Sequence, residues 1–149
     1  MIKTLIKLTF VVALAILSFM ACRKDSAASP TVVAASNSSI NHNITQGAWK
    51  VTEFTEENTN KTDHYFGYEF RFNTNSTVDA FSLTNSISGT WSTRTDSGYL
   101  KMDLKFSNST FFKELNEDWQ VVSQSATKIK LLDVSGNAGK ASYLTFERL

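Results

Sequence analysis

The chain has 149 residues, of which 42% are hydrophobic and 19% charged, and its 15 basic and 14 acidic side chains give a formal net charge of +1. Charges of opposite sign alternate, as at Lys101, Asp103 and Lys105, whereas nucleic-acid binding needs clustered basic side chains, so we expect no nucleic-acid partner. The single cysteine cannot form an intramolecular disulfide, so the folded domain must be stabilised by its core.

The N-terminal segment has the layout of a secretion signal. Two lysines precede an apolar run from Leu8 to Met20, and the small residue Ala21 stands directly before Cys22. This run is too short to span a membrane, since a hydrocarbon core of about 30 Å needs roughly 20 apolar residues. Phe19-Met20-Ala21-Cys22 resembles a bacterial lipobox, in which a small residue precedes the cysteine that accepts the lipid.

These features predict a signal peptide at residues 1–21 and acylation of Cys22 after cleavage. Two or three acyl chains, at roughly 0.8 kcal/mol per buried methylene, would hold the protein on a bilayer. We therefore expect a lipid anchor in the outer membrane of the cell envelope. The sequence does not decide between the periplasmic and the surface-exposed face of that membrane. An ordinary secretion signal followed by an incidental thiol is the alternative.

Residues 22–43 are predicted to form the lipidated cysteine and a flexible tether. The segment after the cysteine consists largely of Ser, Ala, Thr and Asn and contains the only proline of the chain. Within it, Asp25-Ser26-Ala27 resembles a bacterial O-glycosylation acceptor. The folded domain is expected at residues 44–149, a length that can support one core.

Beyond residue 44, apolar and polar residues alternate, and β-branched and aromatic residues are enriched, which predicts an all-β domain. Eight antiparallel strands are expected, at Trp49–Glu56, Tyr65–Asn73, Thr77–Thr84, Ser88–Thr95, Tyr99–Phe106, Trp119–Gln124, Lys128–Val134 and Ala141–Arg148. An up-and-down barrel is favoured because closure removes exposed sheet edges, and a β-sandwich is the alternative. Thr110 is predicted to cap one short helical turn between the fifth and sixth strands, which could close one end of the barrel.

The alternation also assigns large side chains to the barrel interior. The expected inward positions are Trp49, Val51, Phe66, Tyr68, Phe70, Phe72, Phe81, Leu83, Trp91, Leu100, Met102, Leu104, Phe106, Trp119, Val121, Ile129, Leu131, Leu144 and Phe146. An eight-stranded barrel is just wide enough to be filled by side chains or to hold one small molecule. So many bulky groups favour a filled interior, with any ligand held shallowly at one mouth.

Four short motifs carry a family resemblance by their order and spacing. They are Gly47-Ala48-Trp49, Gly89-Thr90-Trp91, Leu115-Asn116-Glu117-Asp118-Trp119 and Leu144-Thr145-Phe146-Glu147-Arg148. With these motifs the domain resembles the lipocalin-like lipoproteins of Gram-negative bacteria. The resemblance implies an eight-stranded calycin barrel in which Gly47, Trp49 and Arg148 form a structural signature, with the arginine packed over the indole at the closed end. It implies a scaffold and no particular ligand.

The sequence contains no convincing catalytic or metal-binding pattern. His42 lies in the predicted tether and His64 in a loop beside Asp63, and their spacing supplies no set of metal ligands. Glu117 and Asp118 are best explained as solvated turn residues. We expect no enzymatic activity, no metal and no cofactor.

Two classes of function remain from the sequence. The first is a lipid-anchored binding protein that holds a small hydrophobic ligand at the barrel mouth. The second is an envelope protein-interaction module, such as a hydrolase inhibitor or an accessory subunit, whose rigid loops contact a protein partner. The candidate mouth residues are Trp91, Phe111, Phe112, Leu115 and Trp119.

Overall fold

The structure is a computed structural model that describes residues 36–107, 110–134 and 140–149. The predicted signal peptide, Cys22, the tether up to residue 35 and Asp25-Ser26-Ala27 lie outside the described residues. In the described part of the chain, none of the helices is both long and apolar enough to cross a membrane.

One α-helix, two 3-10 helices and nine strands make up the described part of the chain. The helix α1 is Asn37–Ile44, and the 3-10 helices are η1 (Thr62–Tyr65) and η2 (Phe112–Leu115). The strands are β1 (Trp49–Glu56), β2 (Thr59–Asn60), β3 (Glu69–Phe72), β4 (Thr77–Phe81), β5 (Ser86–Asp96), β6 (Tyr99–Phe106), β7 (Asp118–Gln124), β8 (Lys128–Asp133) and β9 (Ser142–Arg148).

The sheet closes on itself. From β3 onward each strand pairs antiparallel with the next, and β9 returns to pair with β1, which also contacts β3. The two-residue β2 only extends β1 as a hairpin and takes no part in the ring. The prediction of an all-β, eight-stranded antiparallel barrel with a short helical turn between the strands β6 and β7 is therefore confirmed, and the sandwich alternative is wrong.

Alternating strand directions divide the connections between two ends of the barrel. The helix α1, the β3–β4, β5–β6 and β7–β8 turns and the C-terminus lie at one end, which we call the α1 end. The η1 and η2 helices and the β4–β5 and β8–β9 connections lie at the other, which we call the η end. The β3–β4, β5–β6 and β7–β8 turns at the α1 end have four residues or fewer, whereas the η end carries both 3-10 helices, so the barrel has two different rims.

The ring is weakest between β1 and β3. Among the described residues these strands are paired only at Trp49 and Phe70, whereas β1 follows β9 over most of its length. After β1 the chain passes through β2 and η1, and the fully buried Tyr65 of η1 packs edge-to-face on Phe54 with ring centres 5.4 Å apart. The η1 helix therefore fills part of the gap that the missing strand pairing leaves.

The interior is packed with apolar side chains from every long strand. Phe70 lies near its centre, with ring centres 5.8 Å from Phe112 and 5.3 Å from Phe146, in tilted and edge-to-face contacts typical of aromatic cores. The large fully buried side chains are Ile40, Ile44, Trp49, Phe54, Tyr65, Phe70, Met102, Leu104, Phe106, Phe112, Trp119 and Phe146.

Three side chains that were expected inside are exposed. Phe66 is 89% exposed, Leu83 is fully exposed and Phe81 is 38% exposed. Phe66 lies in the loop before β3, where Gly67 has φ +78° and interrupts the alternation. Leu83 follows β4, which ends at Phe81 and is shorter than expected. Conversely Phe54 is buried, because the register of β1 against β9 shifts by one residue before it.

The predicted flexible tether extended too far toward the barrel, since its last residues belong to α1. Ser36 begins this helix with a capping box, in which its side chain accepts a hydrogen bond from the Ser39 backbone and Ser39 returns one. Ile40 and Ile44, four residues apart on one face, are both fully buried. The helix therefore packs on the barrel, and the ordered domain begins before residue 44.

Candidate functional site

The α1 end of the barrel is closed by the three signature residues. Trp49 is fully buried and donates its indole N–H to the Ile44 carbonyl at 2.8 Å. The Arg148 guanidinium carbon lies 5.4 Å from the centre of this indole, and its Nη2 donates to the Asn43 carbonyl at 3.1 Å. Gly47 has φ +88°, a conformation that favours glycine, and its missing Cβ would lie 3.9 Å from Arg148 Nε. These residues join β1, β9 and α1.

The η end is closed by packing between η1 and η2. Phe112 and Leu115 of η2 are buried, whereas Phe111 is 51% exposed and begins the helix without the predicted Thr110 cap. The Phe112 ring packs edge-to-face on Tyr65 at 5.6 Å, and the Tyr65 hydroxyl donates to the Phe111 carbonyl at 2.8 Å. Of the three predicted mouth residues in this segment, Phe112 and Leu115 of η2 are buried and only Phe111, directly before η2, faces solvent.

The two tryptophans predicted at the mouth are both buried and are held by different segments of the chain. Trp119 is fully buried and donates to the Leu115 carbonyl at 3.0 Å, so it lies beneath η2. Trp91 donates to the Asn73 carbonyl at 3.0 Å and packs on Phe72, toward the α1 end. The five candidate mouth residues therefore do not form one ligand-contacting surface.

Charged side chains join η1 to η2 on the outside of the η end. Lys61 forms ion pairs with Glu56 and, at 2.9 Å, with Glu114, and His64 Nδ1 lies 3.1 Å from Glu114 Oε2. Burial alone would raise the pKa of Glu114, but hydrogen bonds from Lys61 and His64 lower it. These four residues, which we call the η cluster, connect the two segments that close this end of the barrel.

Other polar groups are engaged in structural contacts. Asp118 Oδ2 accepts a hydrogen bond from Arg94 at 2.7 Å, and Arg94 also pairs with Asp103. Over residues 36–107, 110–134 and 140–149, no three His, Cys, Asp or Glu side chains lie close enough together to hold a metal ion.

A groove of about 250 Å³ opens where β1 and β3 separate, and we call it the seam groove. Phe66 and Leu149 present exposed apolar surface there, and Gly67, with φ +78°, turns the chain between Phe66 and Tyr68. The residues that line the groove are Lys50, Val51, Tyr65, Phe66, Gly67, Tyr68, Glu69 and Leu149. The groove thus combines aromatic and aliphatic walls with one ammonium and one carboxylate.

Sequence reasoning missed this groove because it expected one continuous strand over Tyr65–Asn73. The available signal was Gly67 within an aromatic run, since a glycine inside a strand pattern often marks a bend. With its apolar walls and two charged groups, the groove has the character of a small-ligand site, and its volume lies just below the usual range of roughly 300–1,000 Å³.

The geometry defines a class of protein: a closed eight-stranded antiparallel β-barrel, consistent with a lipocalin-like fold. The chain is similar to a DUF4847 family protein from Bacteroides vulgatus ATCC 8482, whose crystal structure was determined at 1.00 Å resolution. The TM-score is 0.50 at 15% sequence identity, over 74% of this chain and 97% of that one, so the likeness concerns the fold alone. No protein-family model matches the sequence, and no curated protein matches it.

Proposed function

We propose that the protein is a lipid-anchored, lipocalin-like protein of the cell envelope that binds a small hydrophobic ligand in the seam groove. The observation that carries this proposal is an open, aromatic-walled groove beside a barrel that is already filled. A ligand inside the barrel would have to displace buried side chains such as Phe112 and Trp119. A ligand in the groove would find its site already open.

The composition of the groove favours a flat, mainly apolar molecule. Covering apolar surface contributes about 25 cal/mol per Å² to binding. Phe66 is the most exposed large aromatic side chain among the described residues, so a ligand that covers it would gain most from this burial. A ring stacked on Phe66 or Tyr68 would gain roughly 0.5–1.5 kcal/mol beyond that burial. Lys50 and Glu69 at the rim would orient polar substituents of the ligand.

The uncharged fluorescent probe N-phenyl-1-naphthylamine tests the groove. We expect saturable binding to the mature chain and an affinity loss of about tenfold in Phe66→Ala, equivalent to about 1.4 kcal/mol. Leu83→Ala is the matched control, because Leu83, like Phe66, is a highly exposed apolar side chain but lies outside the groove. An equal loss in both variants, or no saturable binding, would refute the proposed site.

The anchor depends on Cys22 and has its own test. Metabolic labelling with an alkyne fatty acid should label the wild-type chain in a Gram-negative host and leave Cys22→Ser unlabelled. Recovery of the mature wild-type chain without acyl groups would overturn the anchor. Protease treatment of intact cells would then distinguish the surface-exposed face, where the barrel is cleaved, from the periplasmic face, where it is protected.

A protein-interaction module is the second candidate, and exposed apolar residues at the η end favour it. Leu83, Phe111 and Val134 lie on three different connections of this rim, and each exposes half or more of its side chain. Scattered single residues need no explanation, but three on one rim are suited to an envelope protein partner with an apolar surface. Photo-crosslinkers at Leu83 should then capture a defined partner in cells, and crosslinkers at the exposed Val122 on the barrel side should not.

A further inference from the structure

A second cavity, of about 410 Å³, lies at the α1 end between α1, the β3–β4 turn and the middle of β5. It shares no lining residue with the seam groove. We call it the α1 cavity. The residues that line it are Asn41, His42, Thr45, Thr74, Ser76, Trp91, Ser92 and Thr93. No lysine, arginine, aspartate or glutamate is among these residues. The volume lies within the usual range of small-molecule sites, roughly 300–1,000 Å³.

The walls of the α1 cavity are fixed by contacts between separate elements. Asn41 Oδ1 accepts a hydrogen bond from Thr93 Oγ1 at 2.7 Å, which joins α1 to β5. Asn43 of the same helix donates to the Gln124 side chain at 2.6 Å, which joins α1 to β7. Trp91, which lies at the cavity wall, is held through its indole N–H by Asn73. A ligand would therefore meet a wall that is already ordered, and preorganisation reduces the entropy cost of binding.

The polar groups of this cavity have unused hydrogen-bonding capacity. In the described part of the chain, the side chains of His42, Thr74 and Ser76 make no hydrogen bond to another residue. The Asn41 side chain uses its oxygen toward Thr93, and its amide N–H groups make no bond there. Hydroxyl and amide groups both donate and accept, so they match a ligand that is rich in hydroxyl groups. Without an ammonium, guanidinium or carboxylate in its lining, the cavity offers little to a strongly charged ligand.

We propose that the α1 cavity binds a neutral carbohydrate unit. The sugar hydroxyls would bond to Asn41, Thr74 and Ser76, while C–H groups of the ring would touch the small part of Trp91 that reaches the cavity. Trp91 is only 6% exposed and offers a small apolar contact, so the hydroxyl and amide side chains around it would supply most of the recognition. This site is independent of the ligand proposed for the seam groove.

Titration of the mature, full chain in a non-glycosidic detergent tests the proposal. The probes are four neutral disaccharides: cellobiose, maltose, lactose and N,N′-diacetylchitobiose. We expect saturable binding of at least one of them, with movement of the Trp91 indole resonance in two-dimensional NMR spectra. Failure of all four to bind saturably up to millimolar concentrations would overturn the proposal, as would binding that moves only resonances of the seam groove.

A pair of exposed threonines provides matched variants. Thr74→Tyr places a ring into the α1 cavity and should weaken binding at least about tenfold. Thr127→Tyr makes the same change in the neighbouring β7–β8 turn, outside the cavity lining, and should leave binding unchanged. Phe66→Ala should also leave sugar binding unchanged, so failure of the seam-groove proposal would not affect this result. Equal affinities in Thr74→Tyr and wild type, or equal losses in both threonine variants, would overturn the proposal.

Discussion

Removal of the Arg148 side chain should take away two interactions at the closed end of the barrel. The guanidinium lies 5.4 Å from the centre of the Trp49 indole, a contact that contributes roughly 0.5–2 kcal/mol. Its hydrogen bond to the Asn43 carbonyl contributes about 1.5 kcal/mol or more, because the donor is charged. Since Asn43 belongs to α1, the same substitution loosens the helix. We expect Arg148→Ala to lower the free energy of unfolding by about 2–4 kcal/mol.

Arg94→Ala is the matched control for this prediction. The Arg94 side chain is 40% exposed and pairs with Asp103 and Asp118 on the outside of the barrel. Exposed ion pairs contribute only about 0–1 kcal/mol each, so its loss should be smaller. In thermal unfolding followed by circular dichroism, Arg148→Ala should melt roughly 5–10 °C below Arg94→Ala. Arg148→Lys, which keeps the charge but loses the planar group, should fall between them. Equal melting temperatures in the two alanine variants would refute the pairing of Arg148 with Trp49.

Three further predictions concern packing and pH. Gly89→Ala should lower the melting temperature, because a Cβ there would lie 2.5 Å from the Lys105 carbonyl oxygen, and an unchanged value would contradict the close approach of β5 and β6. In urea unfolding, Phe112→Ala should cost about 3–5 kcal/mol and the half-exposed Phe111→Ala less than about 1 kcal/mol, whereas similar losses would argue against the core position of Phe112. Glu114→Gln should destabilise the fold at neutral pH and progressively less as the pH falls below 4.5. The reason is that the pKa of the Glu114 carboxyl is lower in the folded than in the unfolded chain. Such a group stabilises the fold above its unfolded pKa, and this stabilisation is lost as the pH falls through the folded pKa. The free energy of unfolding of the wild-type chain and of Glu114→Gln should be measured across this pH range. A difference between them that did not change with pH would contradict the role of Glu114 in the η cluster.

Two strands could be predicted from the sequence with their exact ends. The strands β1 and β6 span Trp49–Glu56 and Tyr99–Phe106, as the pattern indicated. In β6, four apolar side chains alternate with charged ones, and the apolar face is buried throughout. Such a pattern is sufficient to predict the strand because one face is buried and the other is exposed to solvent. A register slip of one residue would exchange the two faces.

Alternation was misleading where the backbone departs from a regular strand. The aromatic run before β3 continues a period of two in the sequence, but Gly67 adopts a positive φ and leaves Phe66 in solvent. In β1 the register shift after Val51 brings Phe54 inside, although a regular alternation would place it outside. The register shift in β1 depends on contacts with β9 and has no local signal, whereas Gly67 within the aromatic run did mark the bend before β3.

The helix α1 and the two proposed binding sites depend on non-local structure. A helix of eight residues has little stability of its own, and α1 is held by burial of Ile40 and Ile44 rather than by helix propensity. Two isoleucines in a polar segment are too weak a pattern to predict it. The seam groove exists because β1 and β3 separate, and the α1 cavity exists because α1 approaches β5. Both the separation of β1 from β3 and the approach of α1 to β5 are set by contacts between segments that are far apart in the sequence, so no local motif specifies the whole of either site.

The filled interior determines where recognition can take place on this barrel. A ligand that entered between η1 and η2 would have to displace Phe112, and the loss of its core contacts would cost about 3–5 kcal/mol. This cost lowers the affinity by roughly two to four orders of magnitude. Binding in the seam groove or in the α1 cavity has no such cost, because both are already open. If the interior were nevertheless the binding site, Phe112→Ala would create the missing space and raise the affinity for N-phenyl-1-naphthylamine. If the groove is the site, that variant should bind the probe no better than the wild-type chain, while Phe66→Ala binds it more weakly.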